Sequence, residues 1–150
     1  MFMRNLLNNA KITRVLNRGA GTASATPSKG TIIDMDGYDS VCFVAAMQDV
    51  VDTSAVSLRA ASAAVSDTAE MALLAGTVGG TATAVSFDNK LLVLDVVNPP
   101  NRYVEAQLFH VTANAPFDGV IAILYNAKRT PTTQDATVVA SGTIDSPAAA

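Results

Sequence analysis

The sequence predicts an all-β fold, an antiparallel β-sandwich preceded by an N-terminal arm, and three observations carry that expectation. From residue 31 onward, short apolar runs follow one another at the roughly 8–12-residue spacing of sandwich and barrel strands, each bounded by turn residues. Runs of helical length and period are missing there, except for a weak stretch from Ala63 to Leu74. The apolar mass is mainly Ala, Val and Leu, with 49% apolar residues, 5% aromatics and no Trp, which suits thin sheet packing. At 150 residues the chain is long enough to bury one core without disulfides or metals.

Residues 1–18 place apolar side chains at Met3, Leu6, Leu7, Ile12, Val15 and Leu16. That spacing allows a short amphipathic helix, although Asn8-Asn9 interrupts it and Ile12 to Asn17 reads equally as an edge strand. Gly19 to Gly30 is small and polar and reads as a linker. The expected organisation is therefore an arm and linker over residues 1–30 and a sandwich domain over 31–150. Expected strands lie at Ile32-Ile33, Val41–Met47, Ala55–Ala61, Ala84–Phe87, Leu91–Val97, Tyr103–Val111, Val120–Tyr125 and Thr137–Ala140. Val104, Ala106 and Leu108 alternate with Glu105 and Gln107, the pattern of a strand with one face in water. Leu91–Leu94 and Ile121–Leu124 are apolar on both faces, so each is either central or covered on its outer face by another subunit. Phe87-Asp88-Asn89-Lys90 reads as a tight hairpin, and Asn98-Pro99-Pro100-Asn101 must be a loop.

Charge is sparse, at 15% of residues, and uneven. Arg4, Lys11, Arg14 and Arg18 give the first 18 residues a charge of +4, and the remainder carries −7. An acidic body excludes broad nucleic-acid binding, which needs clustered cations, so no nucleic acid is required as a partner. A charge-poor chain with two-faced strands points to surface covered by assembly. No stretch approaches a transmembrane span, and Met1 to Asn9 holds no continuous apolar leader core, so no membrane is involved and synthesis in a cytoplasm is expected.

Candidate chemistry is thin. Asp34, Asp36 and Asp39 surround Gly37, but the ligand spacing of a calcium loop is absent and an acidic turn is the simpler reading. His110 is the sole histidine, with no Gly-x-Ser-x-Gly elbow to accompany it. Gly76 to Thr81 lacks the Lys of a phosphate loop and reads as a mobile loop. Cys42, the sole cysteine, sits in the apolar run Val41–Val44 as a small hydrophobe. Catalytic, cofactor and metal residues are accordingly assigned to none. Partner contacts are assigned to the arm through Arg4, Leu6, Leu7, Lys11, Arg14, Val15, Leu16 and Arg18, and to a loop through Lys128 and Arg129.

Order and spacing in the second half carry a resemblance. Asp88 to Val96, Pro99 to Val104, Gly119 to Asn126 and Arg129-Thr130-Pro131, with Asp36 to Val44 before them, resemble the jelly-roll cement (decoration) proteins of tailed double-stranded-DNA bacteriophages. The resemblance covers residues 30–147 and leaves out the arm. It implies a jelly-roll sandwich on the outer surface of a virion capsid, made in the bacterial host cytoplasm. It also implies an HK97-fold major capsid protein as partner and a small homo-oligomer, a homodimer in preference to a homotrimer. A tail or head–tail-connector sandwich is the alternative. A carbohydrate-binding jelly roll fits less well, with three Tyr and no Trp for a sugar platform, and a cupin-type enzyme needs more than one His.

Overall fold

Alternating side chains become strands wherever one face can be buried. In the computed structural model, which describes residues 5–83 and 86–143, the chain opens with a short helix, α1 (Leu6–Asn9), whose first turn is capped by the Asn5 side chain accepting from the Leu7 N–H. Strands β1 (Lys11–Leu16), β2 (Ser24–Lys29), β3 (Ile33–Asp34), β4 (Tyr38–Met47) and β5 (Ala55–Ala63) make the first half. A single 3-10 turn (Thr68–Glu70) then leads to β6 (Ala72–Leu73), β7 (Val78–Thr81), β8 (Leu91–Val97), β9 (Tyr103–His110) and β10 (Phe117–Ala127).

The strands form two antiparallel sheets packed as a jelly-roll-like sandwich. One sheet runs β1-β10-β4-β8, the other β2-β9-β5-β6, with β3 also on β9 and β7 also on β5. The pairing is nested: β5 with β7, β4 with β8, β2 with β9, β1 with β10. The chain is thus one long hairpin rolled up, with its first and last strands paired outermost. Between the sheets lie Phe43 and Met47 of β4, Leu58 of β5, Leu108 of β9 and Leu124 of β10, all almost fully buried. Ala45, Ala60, Ala106 and Ala122 fill the remaining inward positions and let the sheets approach closely.

Several expectations change. Lys11–Leu16 is a strand on β10, and Ser24–Lys29 a strand on β9, so from Lys11 the expected arm and linker are built into the two sheets. Val15 is in the core, and Ala10, just before β1, is fully buried. Among the two readings of Ile12 to Asn17, the edge strand is the observed one. The Gly76–Thr81 segment is no simple loop: β7 pairs with β5 through Gly79, whose φ of +135° and approach to the Val56 carbonyl leave no room for a Cβ. Thr137–Ala140 is not a strand, and Val139 there is wholly exposed. Ala63–Leu74 forms no α-helix: it holds the end of β5, the 3-10 turn and the short strand β6. Of the run Ala84–Phe87, Ala84 and Val85 lie outside the described residues.

Glu105 and Gln107 point outward as expected but are buried, 1% and 5% exposed, instead of wet. The connection after β5 folds over them: Thr68 donates to Glu105 Oε2 at 2.9 Å and Gln107 to Oε1 at 2.8 Å. The outer face of the β2-β9-β5-β6 sheet is therefore covered by its own chain.

Candidate functional site

Among the described residues, none covers the outer face of the β1-β10-β4-β8 sheet in this way. On β8, Leu91, Val93 and Val97 are 61%, 49% and 62% exposed, and Ile121 of β10 is 43% exposed. The register joins them into rows: Val93 opposes Val44, which opposes Ile121, and Leu91 opposes Ala46. Cys42, opposite Ile123, continues the surface and is half-buried. Covering the exposed parts of Leu91, Val93, Val97 and Ile121 would stabilise a complex by roughly 1 kcal/mol per side chain.

One polar spot interrupts the patch. Tyr125 donates its hydroxyl to Asp95 Oδ1 at 2.6 Å, and Asp95 lies opposite Cys42. Burial, then the Asp95 charge, pushes the Cys42 thiol above its ordinary pKa, and burial with the Asp95 bond does the same for Tyr125. The thiolate is thus disfavoured, which suits a packing surface better than a nucleophile.

The residues assigned to partner contact from the sequence do not gather into one surface. Arg4 lies outside the described residues. Leu6 on α1 is exposed and Leu7 half-buried. Val15 is in the protein's own core and Leu16 packs against it, which corrects their assignment to a free arm. Lys11 lies 3.8 Å from Asp135, Arg14 donates to the Asp118 carbonyl, and Arg18 is exposed. The C-terminal segment seals the free edge of β1: Gln134 accepts from the Ile12 N–H at 2.8 Å and Thr137 from the Arg14 N–H at 2.9 Å. Thr137 and its own backbone also hold the Asp135 carboxyl below its ordinary pKa.

Lys128 and Arg129 are exposed at one end of the sandwich, where they line a groove of about 560 Å3 with Asp36, Tyr38 and Thr132. Lys128 stands 3.8 Å from Asp39. Arg102 forms a bidentate pair with Asp34, both bonds 2.7 Å, and holds the Asp34 carboxyl below its ordinary pKa. The acidic turn is therefore occupied by ion pairs, and among the described residues no three His, Cys, Asp or Glu side chains gather as a metal site.

Ser28 and His110 Nε2 are 2.8 Å apart, the separation of a nucleophile and its base. Among the described residues, His110 Nδ1 has no hydrogen-bond partner and no acid orients the ring, which stacks on Phe117. Sequence spacing gave no hint of this pair, because β2 brings Ser28 to His110 through a long-range ladder.

The exposed apolar rows were legible as two-faced runs. What sequence did not show is that Ile121–Leu124 is interior to its sheet and Leu91–Leu94 at its edge. No helix among the described residues is long and apolar enough to cross a membrane. Compared with known proteins, the chain matches no family model and no curated sequence.

Proposed function

We propose that the protein is a non-enzymatic capsid cement (decoration) protein. In this reading it binds the outer surface of a tailed-phage head, at junctions between capsomers of an HK97-fold major capsid protein, and resists the outward pressure of packed DNA. It is made in the bacterial host cytoplasm and joins the virion on assembly. The single observation that carries the reading is the uncovered apolar face of the β1-β10-β4-β8 sheet on a charge-poor jelly roll. Surface of that kind marks a site of association. The resemblance of Asp88–Val96, Gly119–Asn126 and their neighbours to the cement proteins supports the same class.

Physically, such a protein works by burying area on two capsid subunits at once, so that many weak contacts must break together before the subunits part. The test is mass analysis of purified virions, followed by rebinding of the purified chain to heads stripped of it. The proposal expects the chain in capsid-associated copies comparable to the major capsid protein, and rebinding that Leu91→Glu or Ile121→Glu weakens. A few copies that separate with isolated tails would identify a tail or connector component and overturn it.

A further inference from the structure

The two edges of the β1-β10-β4-β8 sheet are treated differently. At β1, Gln134 and Thr137 occupy the outward N–H groups. At β8, the sheet simply ends. The Met47 N–H donates to the Lys90 carbonyl and the Asn98 N–H to the Asp39 carbonyl, and these bonds set the phase of the β4–β8 ladder. Leu92, Leu94 and Val96 bond to β4, while the N–H groups of Leu91, Val93, Asp95 and Val97 point away from it. Among the described residues, neither a ladder nor a side-chain hydrogen bond reaches those four. A groove of about 210 Å3 lies beside Leu94 to Val97, bounded on its other side by Leu74 to Gly76.

Edge strands of soluble proteins are ordinarily blunted by Lys, Pro, bulges or short length. β8 is seven residues of Leu-Leu-Val-Leu-Asp-Val-Val with one charge and no Pro. Its ladder with β4 runs without a break in register.

We infer that β8 is the joint between two copies of this chain, pairing antiparallel with β8 of the second copy about a twofold axis at Leu94. It adds a self-association to the proposed function and does not depend on capsid attachment. Charge selects both occupant and register. Centring the axis on Leu94 sets Leu91 opposite Val97 and Val93 opposite Asp95, so each outward N–H meets a carbonyl of the second copy. Centring it on Asp95 would set two carboxylates face to face, which is unfavourable. The Leu94 register also brings Lys90 of each copy alongside Asn98 of the other, whose ladder partner is Asp39, placing a cation near an anion at both ends. The two apolar outer faces then join into one continuous surface.

The experiment is sedimentation of the full chain at micromolar concentration, beside Val93→Pro and two cysteine variants. Proline at 93 removes an outward N–H and leaves the β4 ladder intact. It is expected to melt like the parent and to weaken the dimer about tenfold or more. In a Cys42→Ser background, Leu94→Cys should cross-link to a dimer under mild oxidation, because residue 94 faces its own copy within disulfide reach. Val93→Cys should not, since its Cα lies roughly 7–8 Å from the Cα of the same residue across the joint. A monomeric parent, a dimer indifferent to Val93→Pro, or cross-linking at 93 and not at 94 would overturn the inference. Should Val93→Pro fail to fold, the cross-linking pattern decides alone. Failure of the parent to bind stripped heads would instead count against the cement reading and leave the joint standing.

Discussion

Deleting residues 1–18 separates an arm that reaches a neighbour from a strand that completes its own sheet, and the structure requires the second. β1 contributes Val15, 4% exposed, to the core, and the fully buried Ala10 precedes it. It forms a ladder with β10 from Lys11 to Leu16. Burying a Val side chain is worth about 1.5–3 kcal/mol, and each net ladder bond about 1 kcal/mol. The deletion also removes the backbone that Thr132 and Gln134 grip through the carbonyls of Leu7 and Ala10, freeing the C-terminal segment. Such losses are of the order of a whole domain's stability, about 5–15 kcal/mol. The truncated chain should therefore be unfolded or aggregated at 25 °C in far-ultraviolet circular dichroism. Val15→Ala isolates the core contribution: it should cost about 2 kcal/mol and lower Tm by roughly 4–8 °C. A truncated chain melting within a few degrees of the parent, together with a neutral Val15→Ala, would refute β1 as a structural strand and restore the arm.

Three further outcomes follow from other parts of the molecule. Glu105→Ala leaves Thr68 and Gln107 without their buried acceptor and should cost about 1–3 kcal/mol in a denaturant titration; a neutral result would mean that the covering segment does not close over the sheet. Asp34 and Asp135 have folded pKa values below their unfolded ones, so their stabilisation is complete above the unfolded value of about 4 and is lost as pH falls through the folded values. Tm should accordingly hold from pH 7 to about pH 4 and decline below it, less steeply in Asp34→Asn; identical acid profiles would contradict the Arg102 pairing. Cys42 should react slowly with maleimide at pH 7, faster as pH rises, and more slowly still once the protein is bound to heads; unchanged labelling on binding would place the contact on another face.

How much of this was legible in the sequence depends on where each strand finds its energy. β4, β5, β8, β9 and β10 are stabilised by runs of their own apolar residues, so Val41–Met47 or Tyr103–His110 could be recognised by eye. β2 could not. Ser-Ala-Thr-Pro-Ser-Lys has almost no apolar side chain, and it is extended because β9 supplies a ladder to its edge, where Pro27 is tolerated. β7 is similar, a Gly-Gly strand that exists because Gly79 lets the backbone of β5 approach. Glu105 and Gln107 show the converse, since their alternation correctly gave the face, but burial depended on Thr68, 37 residues away in sequence. The candidate surface was half legible for the same reason. Two-faced apolarity marked Leu91–Leu94 and Ile121–Leu124, while their order in the sheet is a property of the nested hairpin and not of either run.

That nesting bears on what the protein can build. A sheet with two open edges could add copies at both and grow into a fibre, as heterologous contacts do when they fail to close. Here the outermost pair of the hairpin places β1 at one edge, next to the chain that follows β10, and Gln134 and Thr137 of that chain cap it with side chains instead of offering another strand. Among the described residues, β8 is left as the edge without a cap. Pairing through β8 alone is isologous, uses up its own edge and stops at two copies. The two apolar outer faces it joins remain free, on one side of an extended sheet, to lie across two neighbouring subunits of a shell. If β8 is the joint and the protein a cement protein, the sealed edge matters as much as the exposed patch, because it would limit association through this sheet to a closed pair with its remaining apolar surface left for the capsid.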